Sequence, residues 1–203
     1  MTENNFITPG IKDEDFIRGE VPMTKEEVRD VSICKLQLKD DSVLYDVGSG
    51  TGSVAVEAAR ISKGIKVYAF ETKAEAVSLV RQNAQKFNLA NIKVIEGLAP
   101  LSFTDVPVPT HAFIGGSKGH LKEILEALYR RNDRMRIVIN AVSLDTISVL
   151  NEWFEKNKVE NLDVTELSVT KAIKVQSYSM LRSNNPVFIY AFDFVPEGEA
   201  DED

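Results

Sequence analysis

The stretch Asp46-Val47-Gly48-Ser49-Gly50-Thr51-Gly52 places three glycines within five residues, directly after an apolar run. A glycine-rich turn between a strand and a helix lets backbone come close to a ligand and points N–H groups at its polar atoms. Spacing separates the kinds of ligand. A dinucleotide fingerprint, Gly-x-Gly-x-x-Gly, would set its third glycine at position 53, which is Ser53; here it comes one residue early, at Gly52. A phosphate-binding P-loop needs Gly-Lys followed by Ser or Thr, and the loop has no such run. Glu71 follows Gly48 by 23 residues and ends the next apolar run. A carboxylate there can accept hydrogen bonds from both hydroxyls of a ribose. The pair describes a nucleoside site at the carboxyl ends of two adjacent strands.

Strands and helices must alternate to build such a site, and the hydrophobic pattern does alternate. Val43–Val47, Lys66–Phe70, Ile92–Ile95, His111–Ile114 and Arg136–Val142 read as short buried strands. Helices are predicted over 53–62, along the face Val77, Val80, Ala84 and Phe87, along Leu121, Ile124, Leu125 and Leu128, and along Ile147, Leu150 and Phe154. The segments 163–169 and 186–195 are β-rich, and 171–180 either extends the first of them or forms a loop. The expected fold is α/β and Rossmann-like: a mostly parallel seven-stranded sheet with an antiparallel C-terminal edge hairpin and helices on both faces. Ahead of it, Thr24 and Glu27 have the spacing of a capping box. The helix they would open should run to about Leu38, with Val28, Val31 and Cys34 or Lys35 packed inward. The expected organisation is an arm and capping helix over 1–40, one domain over 41–195 and an acidic disordered tail over 196–203.

The 203 residues carry 24 Lys+Arg and 31 Asp+Glu, a net charge of −7. Five of the acids lie in the last seven residues, so removing them leaves about −2 for the body. A nearly neutral body without a basic block argues against a dedicated nucleic-acid partner. No apolar run approaches the roughly 20 residues that span a bilayer, and Met1–Phe6 lacks the pattern of an export signal. One cysteine and no Cys/His spacing for zinc leave neither an internal disulfide nor a metal site. The expectation is a soluble cytoplasmic protein.

The loop, with Asp46 two residues ahead of Gly48, resembles the S-adenosylmethionine loop of class I methyltransferases. Segments outside it narrow the resemblance: Pro22-Met23-Thr24-Lys25-Glu26-Glu27-Val28-Arg29, Phe113-Ile114-Gly115-Gly116-Ser117, Asn140-Ala141-Val142, Asn185-Pro186-Val187 and Ala99-Pro100. With them the chain resembles, from about Pro9 to Val195, the decarboxylating C15-methyltransferases of cobalamin biosynthesis, which act on precorrin-6B or its cobalt complex. The resemblance implies S-adenosylmethionine as cofactor, a tetrapyrrole as substrate and a homotetramer. It implies that Thr24 reaches the cofactor from the arm, that Gly48, Ser49, Gly50, Thr51 and Gly52 wrap its methionine part, that Glu71 holds the ribose and that Ala99 sits beside the adenine. Many class I enzymes place an acid after the third strand. Gly97-Leu98-Ala99-Pro100 has none, so backbone groups of Leu98 and Ala99 would read the adenine. Gly115 and Gly116 would line the meeting place of cofactor and macrocycle. No catalytic acid or base is identified.

A substrate rich in carboxylates calls for cations, and Arg18, Lys25, Arg29, Lys118 and Arg182 are the candidates. His111 and His120 are the two histidines, and His120 is the one near the expected active face. Alternatives are a class I methyltransferase for RNA or another small molecule, a non-catalytic S-adenosylmethionine-binding subunit, and, more remotely, a nicotinamide dehydrogenase.

Overall fold

The computed structural model describes residues 8–197, so the first residues and most of the acidic tail lie outside the described residues. Five strands, β1 (Val43–Val47), β2 (Lys66–Glu71), β3 (Ile92–Glu96), β4 (His111–Ile114) and β5 (Arg136–Ala141), pair in parallel in the order β3-β2-β1-β4-β5. The sheet is completed by β6 (Val159–Leu167) and β9 (Val187–Phe194), with β9 antiparallel to both β5 and β6. The expected seven-stranded sheet with its antiparallel edge is observed.

Five helices flank this sheet: α1 (Glu26–Leu36), α2 (Ser53–Ile61), α3 (Ala74–Lys86), α4 (Leu121–Arg131) and α5 (Leu144–Lys156). The period-two alternation of β1 distributes them into two layers. Tyr45 and Val47 join the core with Ile124, Leu128, Leu150 and Trp153 of α4 and α5. Leu44 joins the opposite core with Val28, Ile33, Ala55, Ala58 and Val80 of α1, α2 and α3. Asp46 lies in β1 between Tyr45 and Val47 and is fully buried. A carboxyl group thus sits under the glycine loop.

Two expectations about the first helix, its capping box and the inward packing of Cys34, are corrected. Its N-cap is Lys25, with no side-chain cap, so the Thr24–Glu27 box does not form. The Asp13 carboxylate instead accepts from the Glu26 N–H at 3.0 Å. The buried face is Val28, Arg29, Ser32, Ile33 and Leu36, and Cys34 is exposed. Buried polar residues cause the rotation. Arg29 is fully buried, with Nε 3.3 Å from Glu57 and Nη1 3.2 Å from Asp13, while its other donors reach the carbonyls of Thr24 and Ile11. Of the expected face, Val28 is buried and Val31 packs half-buried against this core, whereas Cys34 is turned to solvent.

The region 171–180 is neither a continuation of β6 nor a loop. β7 (Thr170–Val175) and β8 (Tyr178–Ser183) form a separate two-stranded hairpin, turning through Gln176 at φ 55°. All of β8 is exposed, including Tyr178, Met180 and Leu181.

Candidate functional site

The strand order reverses direction between β1 and β4, and a crevice at such a switch point is the expected ligand position in an open α/β sheet. A cleft of about 190 Å³ opens there at the carboxyl ends of the strands. Its walls include Gly48 and Gly50 of the loop, Glu71 after β2, Leu98 and Ala99 after β3, and Gly115 and Gly116 after β4.

Two of the loop glycines are required by close approach. Gly48 has φ +73°, and a Cβ there would lie 2.4 Å from the carbonyl oxygen of Gly116. Gly50 has φ +57°, and its Cβ would lie 2.5 Å from the carbonyl oxygen of Pro22. The loop is therefore held between the β4 turn and the N-terminal arm, and backbone alone lines that part of the cleft.

Glu71 is held almost entirely by backbone. Its Oε1 accepts from the N–H groups of Thr72 at 2.7 Å and Lys73 at 3.1 Å and from the Thr72 hydroxyl at 3.3 Å. Its Oε2 accepts only from the Gly50 N–H, at 3.1 Å. Burial pushes this carboxyl up, but hydrogen bonds from Lys73, Thr72 and Gly50 outweigh it and leave the pKa below its ordinary value. The group is ionised, fixed in direction and keeps acceptor capacity on Oε2.

Asp46 behaves oppositely. Burial raises its carboxyl to about 7, against the hydrogen bonds from Ser49 and the Ala55 N–H, with the Glu71 charge adding to the rise. Its Oδ2 accepts from the Ser49 hydroxyl, and Oδ1 has no partner. Asp46 braces the loop from below and does not line the cleft.

The remaining predicted residues divide. Ser49, Thr51 and Gly52 stand behind the cleft wall: the Thr51 carbonyl accepts from Asn83 Nδ2 at 2.9 Å, and Gly52 packs on Val80. Thr24 is not among the lining residues; its carbonyl accepts from Arg29 and, at 3.4 Å, from the Ser53 hydroxyl. Of the five candidate cations, only Lys118 reaches the cleft, where Nζ donates to Thr72 Oγ1. Arg29 is consumed by the Glu57–Asp13 cluster and is corrected from ligand to framework. Lys25 lies 3.7 Å from Asp13, Arg18 is exposed on the arm and Arg182 lies on the outer hairpin. His111 opens β4 at the end away from the cleft, and burial holds its imidazole down at about 4. His120 precedes α4 as its N-cap, outside the cleft wall.

Sequence reasoning missed Val21, Pro22, Thr72, Lys73 and Ser117 in the wall. Pro22 could have been found, since it begins one of the more specific segments. Thr72 and Lys73 carried only their position after Glu71 as a signal.

Residues 15–193 match the family model described as a precorrin methyltransferase domain. A relative from Sulfurisphaera tokodaii, named probable cobalt-precorrin-6B C(15)-methyltransferase (decarboxylating), is 42% identical over 89% of this chain and 95% of its own length. One of the same name from Saccharolobus solfataricus is 38% identical over 92% and 96%. The solved structure of a precorrin-6Y C5,15-methyltransferase from Geobacter metallireducens superposes with a TM-score of 0.85 at 36% identity, covering 92% of this chain and 98% of that one. The cleft thus occurs in a chain that aligns with these methyltransferases over about nine-tenths of its length, and the chain belongs to the precorrin methyltransferase domain family.

Proposed function

We propose that this chain is an S-adenosylmethionine-dependent enzyme that methylates C15 of precorrin-6B or its cobalt complex and removes the C12 acetate carboxyl as carbon dioxide. The observation that carries the reading is the fixed Glu71 carboxylate beside the Gly48–Gly50 backbone cradle, in a chain 38–42% identical to relatives named for that reaction. Bound in this cleft, S-adenosylmethionine supplies a methyl group on a sulfonium, an electrophile for an electron-rich carbon.

The residues present fit that cofactor. Glu71 Oε2 accepts from a ribose hydroxyl, Gly48 and Gly50 lie along the methionine part with Ser49, Thr51 and Gly52 behind them, and Leu98 and Ala99 border the adenine. Thr24, outside the cleft wall, acts on the cofactor only through the arm that carries Pro22 against Gly50. Gly115 and Gly116 expose backbone where donor and acceptor must approach, so positioning supplies much of the rate. Lys118, with Lys73 beside it in the wall, meets substrate carboxylates. No covalent nucleophile is required, because the tetrapyrrole π-system takes up the electrons released with carbon dioxide. Any cobalt arrives as part of the substrate.

The same reading gives a cytoplasmic homotetramer without a nucleic-acid partner. The exposed apolar hairpin supports self-association. Among the described residues, no helix is long and apolar enough to cross a membrane.

Mass spectrometry of a precorrin-6B incubation, with and without cobalt, tests the assignment. The expected product has gained one methyl and lost one carbon dioxide, with equimolar S-adenosylhomocysteine. An unchanged macrocycle in the presence of bound cofactor would refute the substrate while leaving the cofactor site standing.

A further inference from the structure

The N-terminal arm supplies part of the cofactor cleft without belonging to the sheet or its helical layers. Val21 and Pro22 line the cleft together with Gly48 and Gly50 of the loop, and the Pro22 carbonyl lies against Gly50. The shape of the cleft therefore depends on how the arm and the loop are held to each other.

Both rest on α3. Val21 packs with Ala76 and Leu79, and Ile17 packs against the same cluster. Further along the helix, Val80 supports the loop: a Cβ on Gly52 would lie 2.9 Å from Val80 Cγ1 and 3.1 Å from its Cα. Asn83 follows Val80 by three residues, on the same helical face, and is fully buried. Its Oδ1 accepts from the Ile17 N–H at 2.8 Å, while Nδ2 donates to the Ile17 carbonyl at 3.0 Å and the Thr51 carbonyl at 2.9 Å. The Ile17 N–H requires an acceptor and the two carbonyls require donors, so the amide has one orientation and both its hydrogens are used.

Asparagine is a weak helix former and costs solvation when buried. None of its three bonds serves α3; they join Ile17 of the arm to Thr51 of the loop. Glu57 of α2 and Glu75 of α3 also accept from arm N–H groups, at Gly10, Ile11 and Glu20, but these bonds tie the arm to helices and not to the loop. Asn83 itself does not line the cleft, so whatever it does for a ligand passes through the arm and the loop.

We propose that Asn83 is a positioning residue for the cofactor. It locks the arm to the glycine loop, which sets Val21 and Pro22 where S-adenosylmethionine meets them. Coupling of this kind is reciprocal, so bound cofactor in turn holds the arm in place. This role rests on the S-adenosylmethionine reading above and adds a residue outside the cleft that controls the affinity.

The test combines calorimetry with S-adenosylmethionine and trypsin cleavage after Arg18, the exposed residue that follows Ile17. Both are measured on the parent, on Asn83→Ala and on Leu128→Ala. Leu128 is fully buried on α4 in the opposite core, so its truncation lowers stability without touching arm or loop. In the parent, S-adenosylmethionine should slow cleavage after Arg18 about tenfold. Asn83→Ala should bind the cofactor about tenfold more weakly, for the lost hydrogen bonds. Without cofactor, its arm should be cut about tenfold faster than the parent's. Leu128→Ala should keep the parent's affinity and cleavage rate. Should Asn83→Ala fail to fold, Asn83→Asp decides by the same two readings, since it keeps the acceptor for Ile17 and loses the donor to Thr51. Unchanged affinity in a folded Asn83 variant, or equal weakening in Leu128→Ala, overturns the positioning role and leaves Asn83 a support of the fold. An arm cut equally fast with and without cofactor in the parent overturns it as well. A parent that does not bind S-adenosylmethionine overturns the cofactor reading and this role with it.

Discussion

The middle of the seven-stranded sheet and the separate β7–β8 hairpin treat exposed chemistry in opposite ways. Around β1, β2 and β4 the cleft's own polar groups are held inside the chain: Glu71 takes four donors, and the Gly115 and Gly116 N–H groups both reach the Val47 carbonyl, with Asp46 Oδ1 and Thr51 Oγ1 left unpartnered beneath the loop. Beyond β6, the β7–β8 hairpin packs its strands on each other and leaves Tyr178 71% and Leu181 78% exposed. A two-stranded ribbon is marginal by itself in water. Within the described residues the cleft is closed by contacts inside the chain, whereas the hairpin presents apolar side chains to solvent, the surface that the proposed self-association would cover.

The largest expected effect strikes the internally finished side. Gly48→Ala forces a left-handed φ on a side chain, costing about 1–2 kcal/mol. It also drives Cβ onto the Gly116 backbone, adding roughly 1–3 kcal/mol. Denaturant unfolding should show the summed loss, and cofactor binding should vanish with it. A variant as stable as the parent would show that the loop and the β4 turn are free to separate.

A second effect depends on pH. Asp46 is raised from 3.8 to about 7, so its stabilising contribution is complete below the unfolded value and is lost as pH rises through about 7. Asp46→Asn removes that titration. Melting temperatures measured across this range should show the parent losing ground to the variant as pH rises. Parallel curves would mean the carboxyl is already ionised under the loop. Glu71 has the opposite sign: its pKa is lowered, so its contribution is present above the ordinary carboxylate value and fades as pH falls.

The smallest effect on chain stability belongs to the hairpin. Leu181→Ser should alter unfolding free energy by no more than about 0.5 kcal/mol, since the side chain is exposed. The same substitution should lower the assembly mass in light scattering. A large stability loss without a change in mass would show that the hairpin serves the chain itself.

Legibility in the sequence follows the same divide. The loop, the alternating strands and Glu71 were readable because their signals are local: glycine spacing, buried runs and an acid at a strand end. The orientation of α1 was not, because it is set by Arg29 meeting Glu57 and Asp13, partners 28 and 16 residues away. Cys34 was displaced outward by the same cluster. The hairpin escaped because a ribbon exposed on both faces has no hydrophobic alternation to read. Sequence order also gave no means of seeing that Lys118, and not Arg18, Lys25, Arg29 or Arg182, would stand in the cleft wall.

The central claim is that the cleft at the β1–β4 switch point is built for S-adenosylmethionine through Glu71. Isothermal titration of the parent and of Glu71→Ala, with S-adenosylmethionine and separately with NAD, tests it most directly. The account predicts that S-adenosylmethionine binds and NAD does not. It also predicts that the substitution weakens binding by about 1–3 kcal/mol, the value of one or two lost hydrogen bonds to a charged group. Equal affinity of parent and variant for S-adenosylmethionine, or preferential binding of NAD, would contradict it.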